Sequence, residues 1–300
     1  TLGEANIKAD VNKLQVDEFT FEHIAASASY KDGIYTIRDL NINRKKQNLY
    51  LDFSYDTSSY DYRAALIGSI IPDDYNTLLP PWWASVFRDF DFGQCQNISG
   101  DFIIYGNAQS KSTDLYYGRA QAHNISYKDV TLDQIDSIVR GCSGYTELDS
   151  LNVTCSPGWV SGDIAFVSKL DEVQAPLSIR LNMQANLILD DAAKLYPKNI
   201  APIISNFETT EPTLFRIKSA IFNKEYPAYV GKSFFNLSAD CSHKITFKNI
   251  PLNNLSFDLL GRSHATYIRD IRFNYAEGEG IGKVDIPKNT AQKNSLRYKF

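Results

Sequence analysis

Apolar and polar residues alternate between Ile179 and Leu189. Ile179, Leu181, Met183, Ala185, Leu187 and Leu189 are apolar, while Arg180, Asn182, Gln184 and Asn186 between them are polar. A period of two predicts a strand with one face toward a core and the other toward water. Shorter stretches with the same period run through Leu49–Tyr55, Tyr62–Ile70, Ile98–Ile104, Val160–Phe166, Leu255–Leu259 and Ile268–Phe273. Asp32-Gly33, Ser156-Pro157-Gly158 and Glu277-Gly278-Glu279-Gly280 separate strand-like runs and predict turns between antiparallel neighbours. Two segments break the alternation and predict short helices, at about 73–90 and 190–207. Asp73 and Asp190 stand where a carboxylate would cap free backbone N–H groups at a helix start. Pro80 and Pro197 would kink or divide these helices.

The pattern recurs. Residues 62–90 and 179–207 align without a gap at a shift of 117, sharing the Asp-Asp pair, a leucine, a proline, an alanine and a closing phenylalanine. Ser29-Tyr30-Lys31-Asp32 returns as Ser126-Tyr127-Lys128-Asp129 at a shorter offset, which predicts an insertion inside the second copy. Leu148, Leu151, Gly158, Gly162 and Ile164 return as Ile268, Ile271, Gly278, Gly282 and Val284, shifted by 120. Repetition of one supersecondary unit predicts a mainly β protein, an elongated and curved antiparallel sheet with two short helices. The units read as 1–110, 111–228 and a partial third at 229–300. The third copy stops short of its helix, so the chain reads as a slice of a longer protein.

Composition narrows the classes of function. Thirty-one basic residues face 35 acidic ones, and no long basic run occurs, so the footprint of a nucleic-acid binder is missing. Arg44-Lys45-Lys46 reads as a solvated hairpin turn. No apolar stretch approaches the roughly 20 residues of a membrane-spanning helix. Trp82-Trp83 has two readings, packing on the sheet or contact with a membrane or partner. Of the four cysteines, Cys142 and Cys155 could pair across adjacent strands in an oxidising compartment; four unpaired thiols is the other reading.

Candidate chemistry is sparse. Asp73-Asp74 and Asp190-Asp191 diverge in direction at a helix start and make poor acid–base pairs. Gly278, Gly280 and Gly282 lead into strand-like Lys283–Ile286 rather than into a helix, so they do not form a phosphate loop. The four histidines show no metal-ligand spacing, and no serine occupies a nucleophile elbow. The reading names no catalytic residue, no metal ligand and no cofactor.

The run Asn124–Leu132, then Glu147–Val153, closing on Val160-Ser161-Gly162-Asp163-Ile164, resembles the repeated strand unit of AsmA-like proteins, which include the TamB-type proteins of bacterial envelopes. The hallmark is an aspartate–leucine strand followed by a glycine-containing strand. Here it takes the forms Asp39-Leu40-Asn41-Ile42, Ser150-Leu151-Asn152-Val153 and Asp270-Ile271-Arg272-Phe273. The resemblance spans nearly the whole chain. It implies a taco-shaped sheet with an apolar groove, in the bacterial periplasm and anchored to the inner membrane. The role it implies is phospholipid transport between membranes or outer-membrane assembly, with envelope proteins as partners and no catalytic residues.

On this reading the groove candidates are Leu66, Phe102 and Ile104 in the first copy and Ile179, Leu181, Met183, Leu187 and Leu189 in the second. A shift of one residue in register would invert the set. An acyl chain of about 16 carbons buried there would gain roughly 12 kcal/mol before ordering costs. Two alternatives stand beside the conduit: a β-repeat scaffold for protein interactions, and a hydrolase requiring two facing carboxylates in a cleft.

Overall fold

A computed structural model describes residues 3–16, 19–44, 47–69, 88–92, 98–168, 177–195, 206–287 and 297–299. The protein is mainly β. Its first strands are β1 (Glu4–Val16), β2 (Phe19–Lys31), β3 (Ile34–Arg44), β4 (Gln47–Asp56), β5 (Asp61–Ser69), β6 (Phe90–Asp91) and β7 (Ile98–Asn107). β8 (Ser110–Tyr127), β9 (Val130–Cys142), β10 (Tyr145–Thr154), β11 (Gly158–Val167) and β12 (Ser178–Leu187) follow. Helix α1 (Leu189–Leu195) precedes β13 (Phe207–Glu208), β14 (Thr213–Phe222), β15 (Phe234–Cys241) and β16 (Ile245–Phe247). β17 (Ile250–Gly261), β18 (Ala265–Tyr275), β19 (Gly278–Pro287) and β20 (Arg297–Lys299) complete the order.

The chain forms two compact units. The first holds residues 1–125, 134–149 and 168–174; the second holds 126–133, 150–167 and 175–300. In the first, β1 to β5 pair successively as antiparallel neighbours, and β5 pairs with β7, which pairs with β8. In the second, β11 pairs with β12, β12 with β14, β14 with β15 and β15 with β17. β18, β19 and β20 then continue the series.

Element boundaries repeat with the sequence. β2, β3 and β4 start at 19, 34 and 47, and β9, β10 and β11 start at 130, 145 and 158, a constant step of 111. From β5 to β12 and from β6 to β13 the step is 117. The insertion therefore consists of six residues between β11 and β12. The two Ser-Tyr-Lys-Asp runs close β2 and β8, which are not equivalent strands, so their offset does not measure the repeat. β18 and β19 follow β10 and β11 at a step of 120.

Each hallmark motif coincides with a backbone irregularity. Asp39, Ser150 and Asp270 have φ of 53°, 53° and 49°. In β3 and β18 the register slips at this residue, between Ile37 and Leu40 and between Ile268 and Ile271. An extra residue held in the left-handed region is a β-bulge, which bends the strand and raises its local twist. A carboxylate on a neighbouring strand holds it: Asp39 N donates to Asp52 Oδ1 at 2.9 Å, and Ser150 N to Asp163 Oδ1 at 3.1 Å. The third copy carries Lys283 in the corresponding place and keeps the bulge without that carboxylate.

Several expectations change. Helix α1 has seven residues, and Asp190 is its second, inside the first turn rather than at the cap. Phe207, expected at a helix end, opens β13, as Phe90 opens β6. Residues 70–87, with Asp73 and Trp82-Trp83, lie outside the described residues, as does Cys95. Cys142 and Cys155 are free thiols. One ends β9 and the other follows the ten-residue β10, so about 33 Å of extended strand lies between them and rules out a bridge. The third turn is Ala276-Glu277, and Gly278, Gly280 and Gly282 lie inside β19.

Candidate apolar-ligand face

Strand register turns the alternation into continuous rows. In the second unit, Met183 of β12 lies opposite Ile217 of β14, which lies opposite Leu237 of β15. The same row continues through Leu259 of β17, Ile268 of β18 and Val284 of β19. Six adjacent strands thus place an aliphatic side chain at the same level of one face. The next level holds Ala185, Phe215, Ala239 and Phe257, and the one beyond it Leu187, Thr213, Cys241 and Leu255. The opposite face carries Asn182, Lys218 and Asn236, with Gln184, Arg216, Ser238, Asp258 and Arg269 beside them.

Cover over this face is graded. At the Leu187 end it is closed: Leu187 is 4 % exposed, Phe215 3 % and Cys241 2 %. Helix α1 leaves β12 at that end with Leu189 and Ala192 buried. β13 pairs with β16, where Phe207 and Phe247 place their rings 4.7 Å apart, and β16 pairs with β17 through Ile245 and Leu252, both buried. Toward the other end, Met183, Leu181 and Ile179 are only half-buried, and Ile221, opposite Ile179, is 46 % exposed. Among the residues expected to line a groove, Leu187 is thus under cover, and Leu189 belongs to the covering helix rather than to the strand.

The first unit has the same construction. Ile37, Phe53, Ala64, Ile104 and Tyr116 form one row, and Leu40, Leu51, Leu66, Phe102 and Gly118 the next. Leu66, Phe102 and Ile104 therefore share a face, with Leu66 and Phe102 directly opposite. Glycines make room for the rings: a Cβ on Gly118 or Gly100 would stand 2.4 Å or less from the Phe102 ring. At one end of this face Arg44, expected in solvent, is 8 % exposed beside Gln47 at 4 %. The other face departs from the simple alternation. It exposes Tyr50, Ile67, Tyr105, Leu115 and Tyr117 between charged residues.

Polar groups on the apolar face of the second unit are few. Ser219, between Leu181 and Phe235, is 3 % exposed, and its hydroxyl has no hydrogen-bond partner among the described residues. Cys241 Sγ lies 3.1 Å from His243 Nε2, and His243 Nδ1 lies 3.8 Å from Glu211 Oε2. The order thiol, imidazole, carboxylate suggests a nucleophile. Burial, however, pushes the Cys241 thiol up, away from the reactive thiolate, and leaves it 2 % exposed. The closeness of Cys241 and His243 was legible in the sequence, but Glu211 was not, because it lies 30 residues before Cys241 and only the fold brings it near.

No family model, curated protein or solved structure matches the chain.

Proposed function

We propose that the chain is a non-enzymatic segment of a cell-envelope protein whose apolar face carries acyl chains. In this reading it belongs to a curved, repeat-built sheet that moves phospholipid between membranes or supports outer-membrane assembly. Its place is the bacterial periplasm, with anchorage to the inner membrane and envelope proteins as partners. One observation carries the reading: the six-strand aliphatic row from Met183 to Val284, left half-buried at Met183, Ile217, Ile268 and Val284. Leu237 and Leu259 in the middle of the row are already buried, so the row offers apolar surface to an alkyl chain at its two ends, where no fixed polar group interrupts it. The exposed tyrosines on the other face of the first unit support a second role as an interaction scaffold, since tyrosine is enriched at protein interfaces.

Native mass spectrometry of protein purified from a bacterial envelope, followed by organic extraction, tests the lipid reading. Phospholipid is expected to accompany the wild-type protein and to be lost from Leu181→Asp/Met183→Asp. Wild-type protein without lipid, its half-buried row closed to alkyl probes, would favour the scaffold.

A further inference from the structure

The segment between β14 and β15 departs from a plain hairpin turn. Residues 223–233 fold into a platform in which four backbone hydrogen bonds close locally. Tyr226 N donates to Asn223 O at 3.2 Å, Tyr229 N to Tyr226 O at 3.0 Å, Val230 N to Pro227 O at 3.2 Å and Lys232 N to Tyr229 O at 3.0 Å. Pro227 brings no N–H at all. The Tyr229 ring stacks on Phe222 at 5.1 Å, and Lys232 Nζ lies 5.0 Å from the centre of the same ring. At the tip, Pro227 and Ala228 are exposed, and Val230 is 66 % exposed, the highest value of any large hydrophobic side chain among the described residues. Lys224 and Lys232 flank this tip in solvent, while Asn223 Nδ2 draws back the intervening Glu225 carboxylate at 3.3 Å.

We infer that residues 223–233 form a docking tip for an anionic phospholipid surface. Two features suited to interfacial insertion meet there. Tyrosine is suited to the headgroup level, with its ring in the apolar layer and its hydroxyl in the polar one. Lysines beside an apolar tip reach anionic headgroups while the tip is buried. The two lysines beside the apolar tip complement an anionic bilayer rather than an uncharged surface.

Position adds a consequence that rests on the lipid reading above. The platform leaves β14 at Phe222, which shares the polar face with Arg216 and Lys218, at the strand end where Ile221 and Ile179 of the apolar face are least covered. Docking would bring that end to the bilayer.

Sedimentation with vesicles of phosphatidylcholine, with and without phosphatidylglycerol, tests the inference. Wild-type protein is expected to bind the anionic vesicles and to lose affinity as salt is raised. Val230→Asp should weaken binding about tenfold or more, and Lys224→Glu and Lys232→Glu about fivefold each or more. Val230 and both lysines are exposed, so unchanged melting curves will show that the variants fold. Loss of vesicle binding in Val230→Asp, with co-purifying lipid retained, assigns docking to the tip independently of the apolar face. Wild-type protein that ignores anionic vesicles, or Val230→Asp that binds them like wild type, overturns the proposal, whatever Leu181→Asp/Met183→Asp does.

Discussion

Asp136 illustrates how one side chain couples the polar face of the first unit to pH. The Arg119 guanidinium, bonded to both carboxylate oxygens, is the main cause that holds Asp136 below the ordinary value of 3.8, and Gln121 Nε2 adds a bond at 2.7 Å. A carboxylate depressed in the folded state contributes stability that is present above pH 3.8 and is lost as pH falls through the folded value. Asp136→Asn should therefore be less stable than wild type near neutrality, with the difference vanishing in acid below that window. Arg119 is 61 % exposed, so the effect is a modest one. Urea midpoints at neutral and acid pH will check it; a difference that does not change with pH would refute it. Arg140 instead divides its guanidinium between two carboxylates, with Nε donating to Glu147 Oε2 at 2.8 Å and Nη2 lying 3.1 Å from Asp149 Oδ2.

At the scale of elements, glycine and bulge positions decide how strands approach one another. Gly162 has φ of 139°, and a Cβ there would stand 2.2 Å from Asn182 O and 2.7 Å from Met183 Cα. Gly162→Ala should cost about 3 kcal/mol or more, from left-handed strain and overpacking together. A lowered urea midpoint measures that cost, and a midpoint within error of wild type would show that β11 and β12 can separate locally. Strand existence was legible because the sheet is one-sided: the alternation around Met183 has a direct physical cause in which face is wet. The duplicated segments were legible as duplications, but not in their boundaries. Asp190 and Phe207 carry helix-compatible propensity, while pairing with β16 puts Phe207 in a strand. The bulges could not be read from apolar spacing, because an inserted left-handed residue restores the alternation after skipping one place. The aspartate of the hallmark motif marks them only in hindsight, as a residue that tolerates positive φ. The candidate face was legible in its residues and only partly in its cover: a helix directly after β12 was expected, whereas the pairing of β13 with β16 joins Phe207 to Phe247, 40 residues on.

At the scale of the whole molecule, the repeat tolerates change at strand ends and resists it along strands. The step of 111 becomes 117 by six residues between β11 and β12, and the strands on either side keep their lengths to within one residue. If lipid occupies the apolar faces, its removal withdraws a ligand that binds only the folded state, and the melting temperature must fall. Delipidated protein is expected to melt below the protein as purified and to recover on addition of phosphatidylglycerol; identical melting curves would argue that the faces are dry. The bulge at each hallmark motif has a further consequence. Its twist is written into the repeat itself, in one left-handed residue and, twice, a carboxylate on a nearby strand. A tandem duplication would therefore carry its own geometry into the new copy, leaving natural selection free to adjust reach by gene copying while point mutation tunes chemistry separately.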